Sequence, residues 1–418
     1  MTDRTKIFWG WYVVLGGFLL LGLTYGTRYS FGIFVKPMFA EYHWPMSIIS
    51  LGASINMLMY ATGGILSGRL VDRMAPKWIV MIGAITASLG FFLTSLVQTP
   101  IQFFLSYGIL CGLGSACMGV VVTSSSVGKW FVERKGMAVG ITTMGIAVGT
   151  MIFTPIAGYI VKNYHWSKGF VFFGVVLLFS ALLISQTLMK RSKPEDYGLL
   201  PDGKEHVMGG LKNTLPLNTE PDVLVSDVLK NPAFWITSFC FGIGAVAELM
   251  VFVHVVSFSV NNNIEKVAAA SSLGIIGIAS LCGRFFFGWL CDRIRDPKYA
   301  ASLGSLLMAA GMVLLLYMDS SLTMLYAFAF TFGFGYASTA TLMPVIASDR
   351  FGRNILGSTY GLLTFFVAGI GGALGPVLGG LIYDTFSSYD YAWRFNLVML
   401  IIASILILAL KPKAKRGE

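Results

Sequence analysis

The sequence predicts an all-α integral membrane protein with twelve transmembrane helices in two pseudo-symmetric six-helix bundles. Three observations predict it. Apolar runs long enough to cross a bilayer recur along the whole chain, basic residues gather in alternate connections between them, and short motifs of the first half return in the second at an offset of about 220 residues. Composition agrees. Of 418 residues, 56% are hydrophobic and 12% charged, whereas soluble domains carry about 25% charged residues. Mean hydropathy is +0.74. A soluble chain of this length needs polar residues to coat its surface, and this one lacks them, so lipid is the solvent it was built for.

A span needs about 20 apolar residues. By that measure the spans run 9–34, 46–71, 77–97, 100–128, 136–162, 168–189, 232–261, 267–291, 299–318, 321–347, 355–383 and 392–410. The first could mimic a signal peptide. It is too long for one, has no small-residue cleavage site and is followed by further spans. Several spans exceed 25 residues, which permits tilt or ends that protrude into water. The stretch from Lys190 to Lys230 is rich in charge, Pro and Gly and reads as a cytoplasmic linker with a short surface helix. The expected organisation is therefore a bundle over 1–190, a linker over 191–230 and a second bundle over 231–418.

A net charge of +10 would suggest nucleic acid in a soluble protein. In a membrane chain it has a simpler source, because cytoplasmic loops accumulate Lys and Arg. With the N-terminus in the cytoplasm, cytoplasmic segments hold 23 of the 30 Lys and Arg residues, Arg69, Arg73, Lys77, Arg134, Lys135, Arg293, Arg350 and Arg353 among them. The opposite side holds Lys36, Lys162, Lys168, Lys266 and Arg394, and Arg28 and Arg284 lie inside spans. The expectation is a multi-pass protein of the cell (inner) membrane with both termini cytoplasmic, working as a monomer. Cys111, Cys117, Cys240, Cys282 and Cys291 form no CxxC pair, so no disulfide framework or metal site is indicated. No nucleophile–base set or metal-ligand cluster appears, which argues against an enzyme, and no cofactor is implied. The run Gly371-Gly-Ala-Leu-Gly375 follows no strand, so it reads as a helix contact and not a phosphate loop.

The repeat is specific. Gly68-Arg-Leu-Val-Asp72-Arg73 after span 2 matches Gly288-Trp-Leu-Cys-Asp292-Arg293 after span 8. Gly136, Gly140 and Pro155 match Gly357, Gly361 and Pro376, and Trp166 is echoed by Trp393. The G-x-x-x-D-R loop, its weaker copy and the six-plus-six plan resemble the major facilitator superfamily over nearly the whole chain. The first copy has lost the usual second glycine. The resemblance implies halves that rock about a central site, with such loops latching helix ends through an acid–Arg contact that breaks on opening. Asp72, Arg73, Arg134, Asp292 and Arg293 are the expected gating residues, a solvated basic loop being the plainer alternative.

A narrower resemblance opens span 5. Trp130-Phe131-Val-Glu133-Arg134-Lys135-Gly-Met137-Ala138-Val-Gly140, with Gly145 beyond, resembles a signature of monocarboxylate transporters, with Glu133 where a base is usual and Thr142 where Ala is usual. Trp9-Gly10-Trp11 resembles that family's other signature without its acidic residue. The run Glu195-Asp-Tyr-Gly-Leu-Leu-Pro-Asp-Gly203 is similar to linkers of bacterial relatives near the oxalate/formate exchangers.

Ionisable groups deep in spans are costly and usually functional. Four qualify: Arg28, Glu248, His254 and Arg284. Arg284 lies eight residues before Asp292, roughly 12 Å of helix, and its planar fork matches a carboxylate. In the family an Arg of span 8 does this work, so Arg284 is the expected anion anchor; a structural pairing with Glu248 is the alternative. The family's acid one turn earlier is here Ser280, and its mid-helix base in span 1 is here Tyr29. Arg28 could point into the cavity or snorkel to the outer interface. Glu248 and His254 are the candidates for proton coupling, but six residues is about 240° of rotation, so they do not share a face. A counter-ion role for Glu248 and a packing role for His254 are the plainer readings. Tyr336, the i, i+4 pair Tyr360 and Thr364, and Thr143 could complete the pocket, each Tyr being otherwise a packing residue.

The function expected is secondary active transport of a small monocarboxylate such as lactate or pyruvate, coupled to protons. Its partners are a small organic anion, the proton and the bilayer. The alternatives are exchange of dicarboxylates or of the oxalate/formate type, which needs two cationic anchors, and drug–proton antiport, whose Gly-Pro motif belongs in span 5 where this chain has Thr154-Pro155. A membrane sensor is the alternative from another class, and it would be expected to carry an appended signalling domain or long tail, of which this sequence shows no sign.

Overall fold

The computed structural model describes residues 8–190, 192–197, 199–203, 225–294 and 296–411. All regular structure among them is helical, and twelve helices are long and apolar enough to cross a bilayer. They are α1 Gly10–Tyr42, α2 Ser47–Arg73, α3 Pro76–Thr94, α4 Pro100–Trp130, α5 Lys135–Asn163, α6 Trp166–Thr187, α7 Pro232–Asn261, α8 Lys266–Arg293, α9 Pro297–Leu316, α10 Leu322–Phe351, α11 Leu356–Phe386 and α12 Asp390–Leu408. Much of the linker, both chain ends and Arg191, Arg295 and Arg416 lie outside the described residues.

The starts follow local chemistry. Four helices begin with Pro in the first turn, where its missing N–H costs nothing. Three of those four are capped by the preceding side chain. Thr99 forms a capping box with Gln102, Asn231 accepts the Ala233 N–H at 2.9 Å, and Asp296 accepts the Lys298 N–H at 3.1 Å. The first helix continues well past Ile33 and Phe34, through Pro37, and stops where His43 turns left-handed at φ 52°. Apolar content ends earlier than the backbone hydrogen bonding does, so a hydropathy ruler places this end too soon.

Three helices are interrupted. Ser30 breaks α1 and returns its hydroxyl to the Gly26 carbonyl at 2.7 Å. Phe104–Cys111 in α4 and Phe365–Gly371 in α11 are π-helical, a widened turn that often marks a working part of a helix.

The chain divides into two compact units. One comprises Met1–Leu224 with Phe351–Gly361, the other Val225–Arg350 with Leu362–Glu418. In the first, α1 crosses α5 on glycine: a methyl on Gly149 would strike the Gly22 carbonyl, and one on Gly145 the Phe18 carbonyl. Such contact lets backbones approach and gain dispersion where lipid offers no hydrophobic drive. Phe34, Phe91, Phe170 and Phe173 pack beside it, Phe34 and Phe170 with centroids 4.5 Å apart. In the second, Gly371 and Gly375 bring α11 against the Gly242 and Val246 carbonyls of α7. Met250, Phe258, Phe328, Phe332 and Trp393 form its core. Large apolar side chains such as Phe179, Leu183 and Ile405 are about two-thirds exposed. In water that would be a liability; in a multi-pass membrane protein it is the lipid face.

Candidate functional site

Arg284 is the most deeply buried charge of the second unit's spans, only 2% exposed in the middle of α8. It reaches that depth because Gly283 lets α8 rest on the Phe334 carbonyl of α10. Its Nη2 donates to the Tyr336 hydroxyl at 3.2 Å, and the guanidinium carbon stands 5.8 Å from the centre of that ring. Ser280, one turn earlier on α8, is within hydrogen-bonding reach of the same phenol, and Glu248 of α7 interacts electrostatically with both Tyr336 and Arg284. Ser280 Oγ donates to the Gly277 carbonyl at 2.8 Å. Phe252 closes one side, edge-on to Tyr336 at 5.9 Å. The result is a planar cation, one carboxyl and two hydroxyls in an apolar wall.

The structure therefore brings Arg284, Tyr336 and Glu248 together. His254 sits elsewhere. Its Nε2 lies 3.0 Å from the Pro376 carbonyl and its Nδ1 3.3 Å from the Tyr389 hydroxyl. A carbonyl can only accept, so Nε2 carries the proton and Tyr389 donates to Nδ1. Burial, reinforced by Tyr383 and Asp384, pushes the Tyr389 phenol up and keeps it a donor. His254 thus ties α7 to α11 and to the start of α12, on a different face from Glu248.

In the first unit Arg28 turns toward α2. Its Nε donates to Asn56 Oδ1 at 3.0 Å, its Nη2 to the Met57 sulfur at 2.9 Å, and the guanidinium stacks 4.2 Å over Tyr60. Asn56 is held by the Tyr107 carbonyl, and Tyr60 by the Tyr25 hydroxyl at 2.8 Å. Tyr29 is 55% exposed and packs edge-on to Tyr25. Thr143 is buried and donates to the Gly140 carbonyl at 3.0 Å. Tyr360 and Thr364 are both buried in α11, Thr364 being the last residue before the π-helical turn.

The expected gating residues find partners the sequence did not point to. Asp72 is 8% exposed and its carboxylate caps the start of α11: it accepts the N–H groups of Gly357 and Ser358 at 2.9 and 2.7 Å and the Ser358 hydroxyl at 2.8 Å. Lys129, not Arg73 or Arg134, is its cation, 3.7 Å away, with Nζ also on the Val71 carbonyl. Arg73 and Arg134 are exposed. Arg293 stacks on Trp289 at 4.8 Å. A buried acid–Arg pair in the second unit is Asp296–Arg350, two bonds of 2.6 and 2.7 Å. Asp296 carried a visible signal, an acid preceding Pro297 at a helix start; Arg350 carried none. No set of three or more His, Cys, Asp or Glu among the described residues is placed to hold a metal.

Twelve helices long and apolar enough to cross a bilayer, with charged groups buried within each unit, define a polytopic membrane protein. A family model described as Major Facilitator Superfamily matches residues 17–372, and the chain belongs to that superfamily of membrane transporters. It is 26% identical to human monocarboxylate transporter 12 over 96% of this chain and 80% of that protein. It is 25% identical to the uncharacterized MFS-type transporter YhjX of Escherichia coli K12 over 84% of this chain and 83% of that one. Among solved structures, the E. coli fucose:proton symporter FucP superposes with a TM-score of 0.68 at 14% identity, covering 95% of this chain and 98% of that chain; this likeness concerns the fold.

Proposed function

We propose that the protein is a proton-coupled transporter of small monocarboxylates of the lactate or pyruvate type, with Arg284 as the carboxylate anchor. The observation that carries the reading is the buried Arg284, aligned by Tyr336 and faced by Glu248. A guanidinium has five N–H donors. One is spent on Tyr336, and a forked pair is what a carboxylate needs. The similarity to monocarboxylate transporter 12 supports the substrate class.

Coupling follows from charge balance. With no substrate, Glu248 as carboxylate neutralises Arg284. When a substrate carboxylate binds Arg284, two anions would share one cation in a medium that screens poorly. Protonation of Glu248 restores the balance, so one anion and one proton move together. Arg28 rests on an amide, a thioether and a ring, an arrangement we read as bracing α1 on α2. Basic-residue placement supports cytoplasmic termini in the cell membrane, and the protein works as a monomer. Vesicles containing the purified protein should take up labelled lactate when given an inward proton gradient. Uptake that appears only against a preloaded dicarboxylate would replace this reading by exchange.

A further inference from the structure

The linker motif Glu195 to Gly203 has no part in the transport reading, yet it is built into the first unit. The Leu199 N–H folds back on the Pro194 carbonyl at 3.1 Å, and Asp202 adopts a left-handed backbone, φ 61° and ψ 12°. Asp, Asn and Gly tolerate that conformation. It turns the carboxylate onto the α4–α5 loop. Asp202 Oδ2 accepts the N–H groups of Val132 at 2.9 Å and Glu133 at 3.0 Å, and Oδ1 accepts that of Arg134 at 3.3 Å. Three successive N–H groups on one carboxylate make a backbone anion nest. The start of α5 adds the positive end of its dipole and the nearly buried Lys135.

The same segment meets a second loop. Glu195 Oε1 lies 3.6 Å from Arg353 Nη2, just ahead of the α11 turn capped by Asp72. Loop α4–α5 and the approach to α11 are far apart in sequence and touch neighbouring parts of one short linker segment. All these residues fall in the first unit.

We propose that Glu195 and Asp202 form a strap that locks the first turns of α5 and α11 together, so that neither loosens without the other. A coupling of this kind is reciprocal. The signature loop at the head of α5 is then held by a side chain from the linker.

The test is hydrogen exchange read by mass spectrometry on the full-length protein in lipid nanodiscs. Asp202→Asn keeps the left-handed backbone and the shape while removing the charge; Glu195→Gln leaves the nest untouched. Asp202→Asn should speed exchange of peptides covering 131–136 by about tenfold, the loss expected for a charge-assisted bond. It should also speed exchange of peptides covering 353–359. Glu195→Gln should loosen both regions too, with α9 and α12 unchanged in each variant. A change confined to the loop nearest each substitution, or no change at 131–136 in Asp202→Asn, overturns the strap. Neither readout needs a substrate, so failure of the lactate reading would leave this result standing.

Discussion

Replacing Arg284 by Lys keeps the charge and removes the fork. In the structure Arg284 donates one N–H to Tyr336 at 3.2 Å, and its planar fork is the shape that matches a carboxylate. A lysine ammonium is a compact point charge and cannot serve the phenol and both carboxylate oxygens in one plane. The variant should lose about one charge-assisted hydrogen bond, roughly 1.5–3 kcal/mol, which is about 10- to 150-fold in affinity. Because Glu248 still faces a cation, the fold should hold, and thermal unfolding in detergent should shift little. The assay is the lactate concentration for half-maximal uptake in vesicles, alongside equilibrium binding to purified protein. Tyr336→Phe should show a smaller loss, and the double variant less than the sum, since the two groups touch. A lysine variant within about twofold of the parent, below 0.5 kcal/mol, would refute the anchor.

Three further outcomes follow. Glu248→Gln removes the group that balances charge, so lactate counterflow should persist while net uptake stops responding to an imposed pH gradient; retained acceleration by that gradient would show that the proton travels elsewhere. Arg350→Met leaves Asp296 buried without its bidentate cation, a loss of about 3–5 kcal/mol. It should lower the midpoint of thermal unfolding clearly, whereas replacing both partners by apolar residues should recover most of it. His254→Gln should lower stability through the weakened ties to Pro376 and Tyr389 yet leave the pH profile of transport in place; a displaced profile would return His254 to the coupling path.

How much was legible follows from what each feature depends on. Spans depend on local apolar content, so all twelve were readable, with errors at ends such as that of α1, where the helix runs on through Lys36 and Pro37 to Tyr42. Arg284 and Glu248 were visible because a charge inside an apolar run is costly and needs a reason. The interruptions at Phe104–Cys111 and Phe365–Gly371 left no mark, because a widened turn is set by packing against neighbouring helices and not by residue type. Partners distant in sequence were equally hidden. The Asp72 motif was plain, but that its carboxylate would cap Gly357 and Ser358 is a tertiary fact. Lys129 read as the edge of a span and is the buried cation of Asp72. Asp202 was visible only as part of a linker run, and its grip on Val132 to Arg134 appears only in three dimensions.

The central claim is that one carboxylate on Arg284 moves with one proton. It is tested most directly by recording labelled lactate entry and internal pH together in the same vesicles, with the membrane potential clamped to zero. The account predicts internal acidification matching lactate entry one for one in the parent protein, and neither signal in Arg284→Ala. Lactate entry without acidification, or equal entry in the alanine variant, would contradict it.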